Sequence, residues 1–127
     1  LDSALENFAS DASNHGMKVG REGYKMVLED IFATFPDFNF EIEEIVENGD
    51  TVVVRAKVSG THLGVGELPV NGGMLIGERP TGKSFEVQHI HWYKLRDGKI
   101  VEHFASRDDL GMMQQLGLLP ETLASLR

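Results

Sequence analysis

Residues 84–111 read SFEVQHIHWYKLRDGKIVEHFASRDDLG, and this stretch decides the fold. Ser84–Leu95 is predicted to form a β-strand that carries two histidines, His89 and His91. Asp97 and Gly98 then form a two-residue turn typical of antiparallel hairpins, so Ile100–Ser106 returns beside the first strand. Histidines on the strands and acids at the end of the hairpin gather at one place. The sequence therefore predicts an acid–base site on a small sheet protein.

Two helices are predicted upstream of this hairpin. Helical spacing of the apolar residues predicts a first helix over Leu1–Ala12 that is incomplete at its start, as if residues had been removed upstream. A second helix over Arg21–Phe35 begins after Gly20 and stops at Pro36. The residues that support these two helices are Leu1, Ala4, Leu5, Phe8 and Ala12 for the first, and Tyr24, Val27, Leu28, Ile31 and Phe35 for the second.

A second hairpin follows the helices. Side chains alternate from Phe38 to Glu43, but the next apolar pair falls out of step, so we expect a β-bulge near Glu43-Glu44. The turn Asn48-Gly49-Asp50 leads into the strand Thr51–Ser59, which carries valines on one face. These strands extend the sheet that the first hairpin begins.

The remaining segments are less regular. Gly60–Lys83 is rich in glycine and proline, which predicts an extended functional loop with a short strand at Met74–Ile76. A helix begins at Asp108 or Asp109, and Pro120 opens a last turn. We expect Leu110, Met113 and Leu116 on one side of that helix. Helices followed by antiparallel strands indicate an α+β fold.

The composition excludes several classes of function. Twenty acidic against 12 basic residues give a net charge of -8, which repels nucleic-acid phosphates and anionic membranes. Cysteine is absent, so disulfides, thiolate nucleophiles and zinc–sulfur sites are excluded. No apolar run approaches the roughly 20 residues of a membrane span, and no signal-type segment opens the chain. These observations predict one cytoplasmic domain over residues 1–127.

Several short motifs, taken in order, resemble a known family. The motifs are Asn14-His15, Gly20-Arg21-Glu22-Gly23, Gly60-Thr61-His62, Pro80-Thr81-Gly82-Lys83, Asp97-Gly98-Lys99-Ile100 with Glu102-His103, and Asp108 with Gln115-Leu116-Gly117. Together they resemble the SnoaL-like polyketide cyclases, or ester cyclases, from roughly Leu5 to Pro120. The resemblance implies a nuclear transport factor 2-like (NTF2-like, cystatin-like) cone. In such a cone a strongly curved antiparallel sheet wraps around N-terminal helices and encloses an apolar pocket, with a short C-terminal helix. Two departures from the family mean that the substrate does not carry over. The first helix is missing or shortened, and the loop Gly64–Arg79 is longer than in the antibiotic-pathway members.

The resemblance also implies a mechanism and site residues. Cyclases of this type close a ring by intramolecular aldol condensation without a cofactor or metal, and an aspartate matching Asp108 is the general acid/base. His91 is the candidate partner that orients Asp108 or shares its proton. Trp92 and Phe104 are candidate flat walls for a planar substrate. The other candidate substrate-binding residues are His15, His62, His89 and Glu102.

Each candidate also has a simpler structural interpretation. Asp108 is equally well explained as the N-cap of the following helix. His89 and His91 have a spacing that suits metal ligands, and His62, His103 and His15 could complete a site. However, no third ligand stands nearby in a zinc pattern, and the resemblance argues against a metal. Glu102 is explained as well by a salt bridge with Lys99 or Arg107.

Three functions remain open from the sequence. The preferred one is a cofactor-free cyclase or related isomerase acting on a small hydrophobic or carbonyl-rich molecule. The alternatives are a non-catalytic binding or assembly module on the same fold, and a hydrolase of small epoxides or esters that uses Asp108 and His91. The valine-rich strand Val52–Val58, with Trp92 or Tyr93 outside, predicts an apolar sheet surface that a homodimer or homotetramer would cover.

Overall fold

The computed structural model describes residues 5–68 and 74–119. The fold is α+β, as the sequence predicts, and the elements within these residues are a six-stranded curved sheet and two helices. The expectations for Leu1–Ala4 and for the turn after Pro120 concern residues outside these ranges. The elements in chain order are β1 (Phe8–Asn14), β2 (Met17–Lys18), α1 (Gly20–Thr34), β3 (Asn39–Asn48), β4 (Thr51–Thr61), β5 (Ser84–Arg96), β6 (Lys99–Arg107) and α2 (Asp109–Gln115).

The sheet has the strand order β2-β1-β6-β5-β4-β3. Strands β3, β4, β5 and β6 are joined as antiparallel neighbours, so the two predicted hairpins are confirmed. Strand β1 pairs with β6 in parallel, which makes the sheet mixed rather than purely antiparallel. Because β1 lies beside β6, residues 8–14 are brought to the β5–β6 hairpin.

The second predicted helix is confirmed as α1. It begins at Gly20, where φ is 68° and an added Cβ would lie 2.8 Å from the carbonyl oxygen of Ser10, so glycine is required there. It ends before Pro36, which cannot continue a helix. Tyr24, on its buried side, faces β1 and donates a hydrogen bond of 2.7 Å to the carbonyl oxygen of Ser13.

The predicted bulge in β3 is also confirmed. Ile42 lies opposite Ala56, whereas Glu44 lies opposite Arg55, so Glu43 is the extra residue. The extra residue restores the alternation of faces that the sequence interrupts.

The first predicted helix is wrong from Phe8 to Ala12. Phe8–Asn14 forms strand β1, whereas Leu5, at the start of the described residues, is helical. Phe8 and Ala12 are four residues apart, and this spacing places two side chains on one face of a strand as well as of a helix. Pairing with β6 decides between the two.

Two smaller expectations are corrected. Residues 74–76 form a turn with a single bridge from Ile76 to Gly66, not a short strand. Leu110 is 51% exposed, so it does not share the buried side of α2 with Met113. That side is formed by Met112 and Met113, and Leu116 is buried just after the helix.

The core lies on one face of the sheet, called here the inner face. Phe35, just after α1, packs into it with Ile31 of α1 beside it, and α2 covers it through Met112 and Met113. The strand residues in this core are Val54, Ala56, Val58, Phe85 and Val87. The inner face is therefore the one on which a site shielded from water can form.

Candidate active site

Two histidines of β5 lie on the inner face. In the antiparallel register His89 is opposite Ala56 and His91 is opposite Val54, and both of these partners are buried. His89 and His91 continue the alternation that buries Val87 one step earlier. The structure therefore brings these two candidates together on the face that the helices cover.

The two histidines belong to a longer series of hydrogen bonds, called here the histidine chain. Nδ1 of His89 lies 3.1 Å from Nε2 of His91, and Nδ1 of His91 lies 2.7 Å from Nε2 of His103. Nδ1 of His103 lies 2.9 Å from Oδ1 of Asn14 on β1. Both ring nitrogens of His91 are therefore engaged within the protein, and His89 forms one end of the chain.

Burial favours the neutral form of all three imidazoles. It lowers the pKa of His89 to about 4, and the charge of Arg107 lowers it further while that of Asp108 opposes the shift. Burial, then neighbouring His89, lowers the pKa of His91 to about 4. Burial, then neighbouring His91, lowers the pKa of His103 to about 3. At neutral pH the chain is therefore uncharged.

Two tyrosines pack against the histidine chain. The ring centroid of Tyr93 lies 5.0 Å from that of His103 and 6.1 Å from that of His91. The ring of Tyr24 lies 6.1 Å from His103. Burial raises the pKa of Tyr93 to about 12 and also raises the pKa of Tyr24, so both phenols stay protonated. The tyrosines that contact the histidine chain are therefore aromatic and uncharged.

Asp108 stands at the end of the chain marked by His89. Its backbone N–H donates to the carbonyl oxygen of Gln88 at 3.3 Å, which ties it to the residue before His89. Its Oδ1 accepts a hydrogen bond of 2.9 Å from the backbone N–H of Gly111, so Asp108 is the N-cap of α2. The capping interpretation is confirmed, and the charge of Asp108 also acts on the pKa of His89.

The residues on either side of Asp108 form an ion pair. Arg107 lies opposite His89 in the sheet, and its Nε is 3.4 Å from Oδ2 of Asp109. Burial raises the pKa of Asp109, and the charge of Arg107 opposes that shift. Arg107 and Asp109 therefore form an ion pair next to His89 and Asp108.

His62 lies apart from the histidine chain, at the start of the long loop. It is fully buried, and its Nδ1 accepts a hydrogen bond of 3.2 Å from the backbone N–H of Thr81. Within residues 5–68 and 74–119, its Nε2 is the only fully buried side-chain nitrogen or oxygen without a partner. Burial lowers its pKa. The ring centroid of Phe35 is 5.8 Å away, so His62 packs in the core beneath the loop.

His15 lies at the turn between β1 and β2. Its φ is 51°, a left-handed value that Asn and His adopt more readily than most residues. Nε2 of His15 accepts a hydrogen bond of 3.1 Å from the backbone N–H of Ala105. The side chain is exposed at the sheet edge and is not a member of the histidine chain.

Three other candidates lie on the opposite, outer face. Trp92 is directly opposite Val53 and Phe104, and Glu102 is directly opposite Lys94. Because neighbouring residues of a strand point to opposite faces, these side chains are separated from His89 and His91 by the sheet. A depression of about 260 Å³ on this outer face is lined by Val46, Asn48, Thr51, Val53 and Trp92.

No group of three or more metal-ligating side chains converges among the residues that the structure describes. The ring nitrogens of the histidine chain point at one another rather than at a common centre. Sequence reasoning named His103 only as a possible metal ligand and did not name Asn14, although both stand in the motifs Glu102-His103 and Asn14-His15. Asn14 on β1 and His103 on β6 are far apart in the sequence, and their contact is evident only in the folded sheet.

Comparison with known proteins gives a consistent picture. A family model described as SnoaL-like polyketide cyclase matches residues 1–116. The nogalonic acid methyl ester cyclase of Streptomyces nogalater is 29% identical over 104 residues, which are 81% of this chain and 71% of that protein. The aklanonic acid methyl ester cyclase DnrD of Streptomyces peucetius is 33% identical over 86 residues, which are 68% of this chain and only 53% of that protein.

Solved structures share the fold. TsrD from Streptomyces laurentii aligns with a TM-score of 0.76 and 26% identity, over 92% of this chain and 83% of that chain. Wild-type IdmH from Streptomyces antibioticus aligns with a TM-score of 0.69 and 33% identity, over 88% of this chain and 83% of that chain. Among the described residues, no helix is both long and apolar enough to cross a membrane.

Proposed function

Because this chain belongs to the family of SnoaL-like polyketide cyclases, we propose that it closes a ring in a small carbonyl-rich molecule by acid–base chemistry without a cofactor. The observation that supports this proposal most is the neutral histidine chain on the inner face, which ends beside Asp108. Partial burial of these groups excludes much of the water that would compete for protons and hydrogen bonds.

The proposed reaction is an intramolecular aldol condensation. A carbon flanked by two carbonyl groups loses a proton to the acid–base group, and the C–H electron pair forms an enolate. The enolate carbon attacks a second carbonyl carbon, forming a C–C bond, while the C=O electron pair becomes an alkoxide. The proton returns to that alkoxide, so substrate and product are isomers. No oxidant, reductant or metal is needed to balance these steps.

In this proposal Asp108 is the general acid/base, and His91 supports it indirectly. Both nitrogens of His91 are engaged, so His91 acts by holding His89, the member of the histidine chain whose pKa the charge of Asp108 affects. His89 is thus the substrate-binding candidate that the proposal retains. Trp92, Glu102 and Phe104 are left out because they lie on the outer face.

The relatives suggest the first substrates to test. They are named for the methyl esters of nogalonic and aklanonic acid, so we propose an aromatic β-keto methyl ester as the substrate class. The purified protein is incubated with such esters, the products are separated by liquid chromatography, and their masses are measured by mass spectrometry. We expect a product of unchanged mass and altered retention.

The variant Asp108→Asn tests the role of the carboxylate. Asparagine also caps helices, so α2 is retained while the acid–base group is lost. We expect ring closure to slow at least a hundredfold, within the range that general acid–base catalysis contributes. Asp109→Asn is the matched control and is expected to retain the rate within a few-fold. A folded Asp108→Asn variant with the wild-type rate would contradict the proposal.

The same experiment separates the alternatives. Hydrolysis of an epoxide or ester by Asp108 and His91 would add the mass of one water to the products. A non-catalytic binding module would shift spectra or stabilise the fold without any product. A product isomeric with the substrate is expected only for ring closure or a related isomerisation.

We also propose that two copies of the chain associate through the outer face, in a homodimer or in a homotetramer of two dimers. Val46 is directly opposite Val53, which is opposite Trp92, which in turn is opposite Phe104. These four residues form an apolar row across four strands, called here the outer stripe. Its members Val46, Trp92 and Phe104 are 56%, 45% and 41% exposed, an amount of apolar surface that a second copy would cover.

The cysteine-free composition favours a cytoplasmic location, which we propose as well.

A further inference from the structure

The histidine chain has a direction that its hydrogen bonds determine. A neutral imidazole carries one N–H and one lone pair, so each ring in a chain donates through one nitrogen and accepts through the other. Fixing the proton on one ring therefore fixes it on every ring. The fixed point in this molecule is Asn14, because its Oδ1 can only accept a hydrogen bond.

The direction follows ring by ring. Nδ1 of His103 faces Oδ1 of Asn14 and so carries the proton, which leaves Nε2 of His103 with a lone pair. Nδ1 of His91 faces that lone pair and carries a proton in turn. Nε2 of His91 then accepts from Nδ1–H of His89. All three rings are Nδ1–H tautomers, and the lone pair that remains is on Nε2 of His89.

The remaining lone pair is available to a ligand. No residue of the described part of the chain hydrogen bonds Nε2 of His89, whose ring is engaged through Nδ1. Among the described residues, Nε2 of His62 is the only side-chain nitrogen or oxygen that is both fully buried and unpartnered. Nε2 of His89 is also unpartnered, so it is not fully buried and keeps an accessible surface. Arg107, directly opposite His89 in the sheet, is paired with Asp109.

We propose that Nε2 of His89 is a hydrogen-bond acceptor that binds a hydroxyl group of the ligand, enolic or phenolic, rather than a carbonyl oxygen. His91, His103 and Asn14 are positioning residues that hold this lone pair in place. The inference deepens the proposed function and rests on it for the site's small-molecule ligand. It adds that the reacting molecule presents an O–H group to the end of the site at which Asp108 stands.

The first test reads the protons directly. Long-range ¹H–¹⁵N NMR spectra of the wild-type protein at pH 7.5 distinguish protonated from unprotonated ring nitrogens, and His→Gln variants assign the three rings. We expect protonated Nδ1 and unprotonated Nε2 in all three. A protonated Nε2 on His89 would overturn the inference. This readout needs no turnover, so it is independent of whether ring closure occurs.

The variant Asn14→Asp provides a matched control for direction. A carboxylate cannot donate, so aspartate can only accept from Nδ1 of His103. We expect Asn14→Asp to show the same tautomers as the wild type. Opposite tautomers in the wild type and in Asn14→Asp would mean that the asparagine donates through its amide nitrogen, which would overturn the inference.

The second test compares a hydroxyl ligand with its methyl ether. Binding of 2-naphthol and 2-methoxynaphthalene is measured by NMR titration, because the two probes differ only in the O–H donor. We expect 2-naphthol to bind at least tenfold more tightly to the wild type, and the difference to vanish in His89→Phe. Equal affinities in the wild type, or no binding of 2-naphthol at its solubility limit, would overturn the inference while leaving the ring-closure assay to judge the proposed function.

Discussion

Three adjacent neutral histidines make the folded state sensitive to acid. The pKa values of His89 and His91 are lowered to about 4, and that of His103 to about 3, from an ordinary value near 6.5. Below pH 6.5 the unfolded chain binds protons that the folded chain does not. The free energy of unfolding therefore falls as the pH falls from about 6.5 towards about 4.

We expect the free energy of unfolding to decrease by roughly 2 to 5 kcal/mol between pH 7 and pH 5, since each histidine protonated only in the unfolded chain contributes up to about 1.4 kcal/mol per pH unit. Urea denaturation at several pH values measures it. His89→Gln is expected to reduce the slope by about one histidine's share. Stability that is constant over this range would contradict the prediction.

The carboxyl groups with shifted pKa values affect stability in a lower pH range than the histidines do, or in the opposite direction. Hydrogen bonds from Arg96 to Asp11 and from Thr61 to Asp37 lower the pKa values of these two carboxyls, so they reduce stability only below about pH 4. Burial raises the pKa of Asp109, which therefore binds protons more readily in the folded state and gains stability on acidification. Measurements above pH 5 thus report mainly on the histidine chain and on His62, whose pKa burial also lowers.

Asp108 combines a structural and a proposed chemical role, and stability measurements can separate them. Replacing it by alanine removes the acceptor for the backbone N–H of Gly111 and is expected to cost about 1 kcal/mol of stability. Asparagine retains an acceptor, so Asp108→Asn is expected to unfold within a few tenths of a kcal/mol of the wild type. Thermal or urea unfolding of the two variants provides the comparison. Equal losses in both would show that the cap does not depend on the side-chain acceptor.

Val101 determines which side chains share a face with His91. Near the turn Leu95 lies opposite Ile100, but one step further Lys94 lies opposite Glu102, so Val101 is an extra residue in β6. A shift of one residue exchanges the two faces of a strand. His103 is thereby placed on the inner face and Phe104 on the outer one.

The sequence could not reveal this bulge. The Asp-Gly turn correctly predicts the hairpin, and a regular hairpin from that turn would put Phe104 opposite His91. Nothing in the alternation of β6 indicates the extra residue. In β3, by contrast, Ile45 and Val46 are out of step with the alternation before them, and this indicates the bulge. Residues on one strand, such as His89 and His91, could therefore be grouped from the sequence, but residues across the hairpin could not.

At the scale of elements, the long loop is fastened to helix α1. Oδ1 and Oδ2 of the buried Asp30 accept hydrogen bonds from the backbone N–H groups of Glu67 and Leu68, at 2.9 and 3.3 Å. The carbonyl oxygen of Thr34 accepts from the N–H groups of Leu63 and Gly64. The described start of the loop is therefore anchored to the end of the helix.

Gly64 of this loop lies close against the backbone of α1. A Cβ at this position would lie 1.8 Å from the carbonyl oxygen of Ala33, a backbone atom that cannot move aside freely. We expect Gly64→Ala to lower the free energy of unfolding by about 3 kcal/mol or more. Gly77→Ala is the control, because Gly77 has a φ of 71° but open space around it, and about 1 kcal/mol is expected. Equal losses in urea denaturation would contradict the proposed contact.

Strand β1 shows why a local pattern can mislead. Phe8 and Ala12 suit either a helix or a strand, and Ala12 is fully buried in the strand that forms. The pairing that selects the strand is made with β6, at the other end of the sequence. By contrast α1 extends over four helical turns between a glycine and a proline, so its own sequence was sufficient.

For the whole molecule, the two faces of the sheet have different tasks. The inner face carries the core and the histidine chain, whereas the outer face carries salt bridges such as Lys57–Glu41 and Arg55–Glu43 around the outer stripe. An apolar row surrounded by charged pairs is the composition typical of an interface core with a polar rim. This arrangement supports the proposed association of two copies without using the site itself.

The single tryptophan makes this proposal directly measurable, because Trp92 lies in the outer stripe. We expect the wild type to have at least a dimer's mass in light scattering at micromolar concentration, and its tryptophan emission to shift to longer wavelength as dilution exposes Trp92. Val53→Glu places a charge in the same row and is expected to give a monomer with red-shifted emission at all concentrations. Met26→Glu, at a 57% exposed position on α1, is the control and should retain the wild-type mass. A monomeric wild type would show that the outer stripe does not bind a second copy.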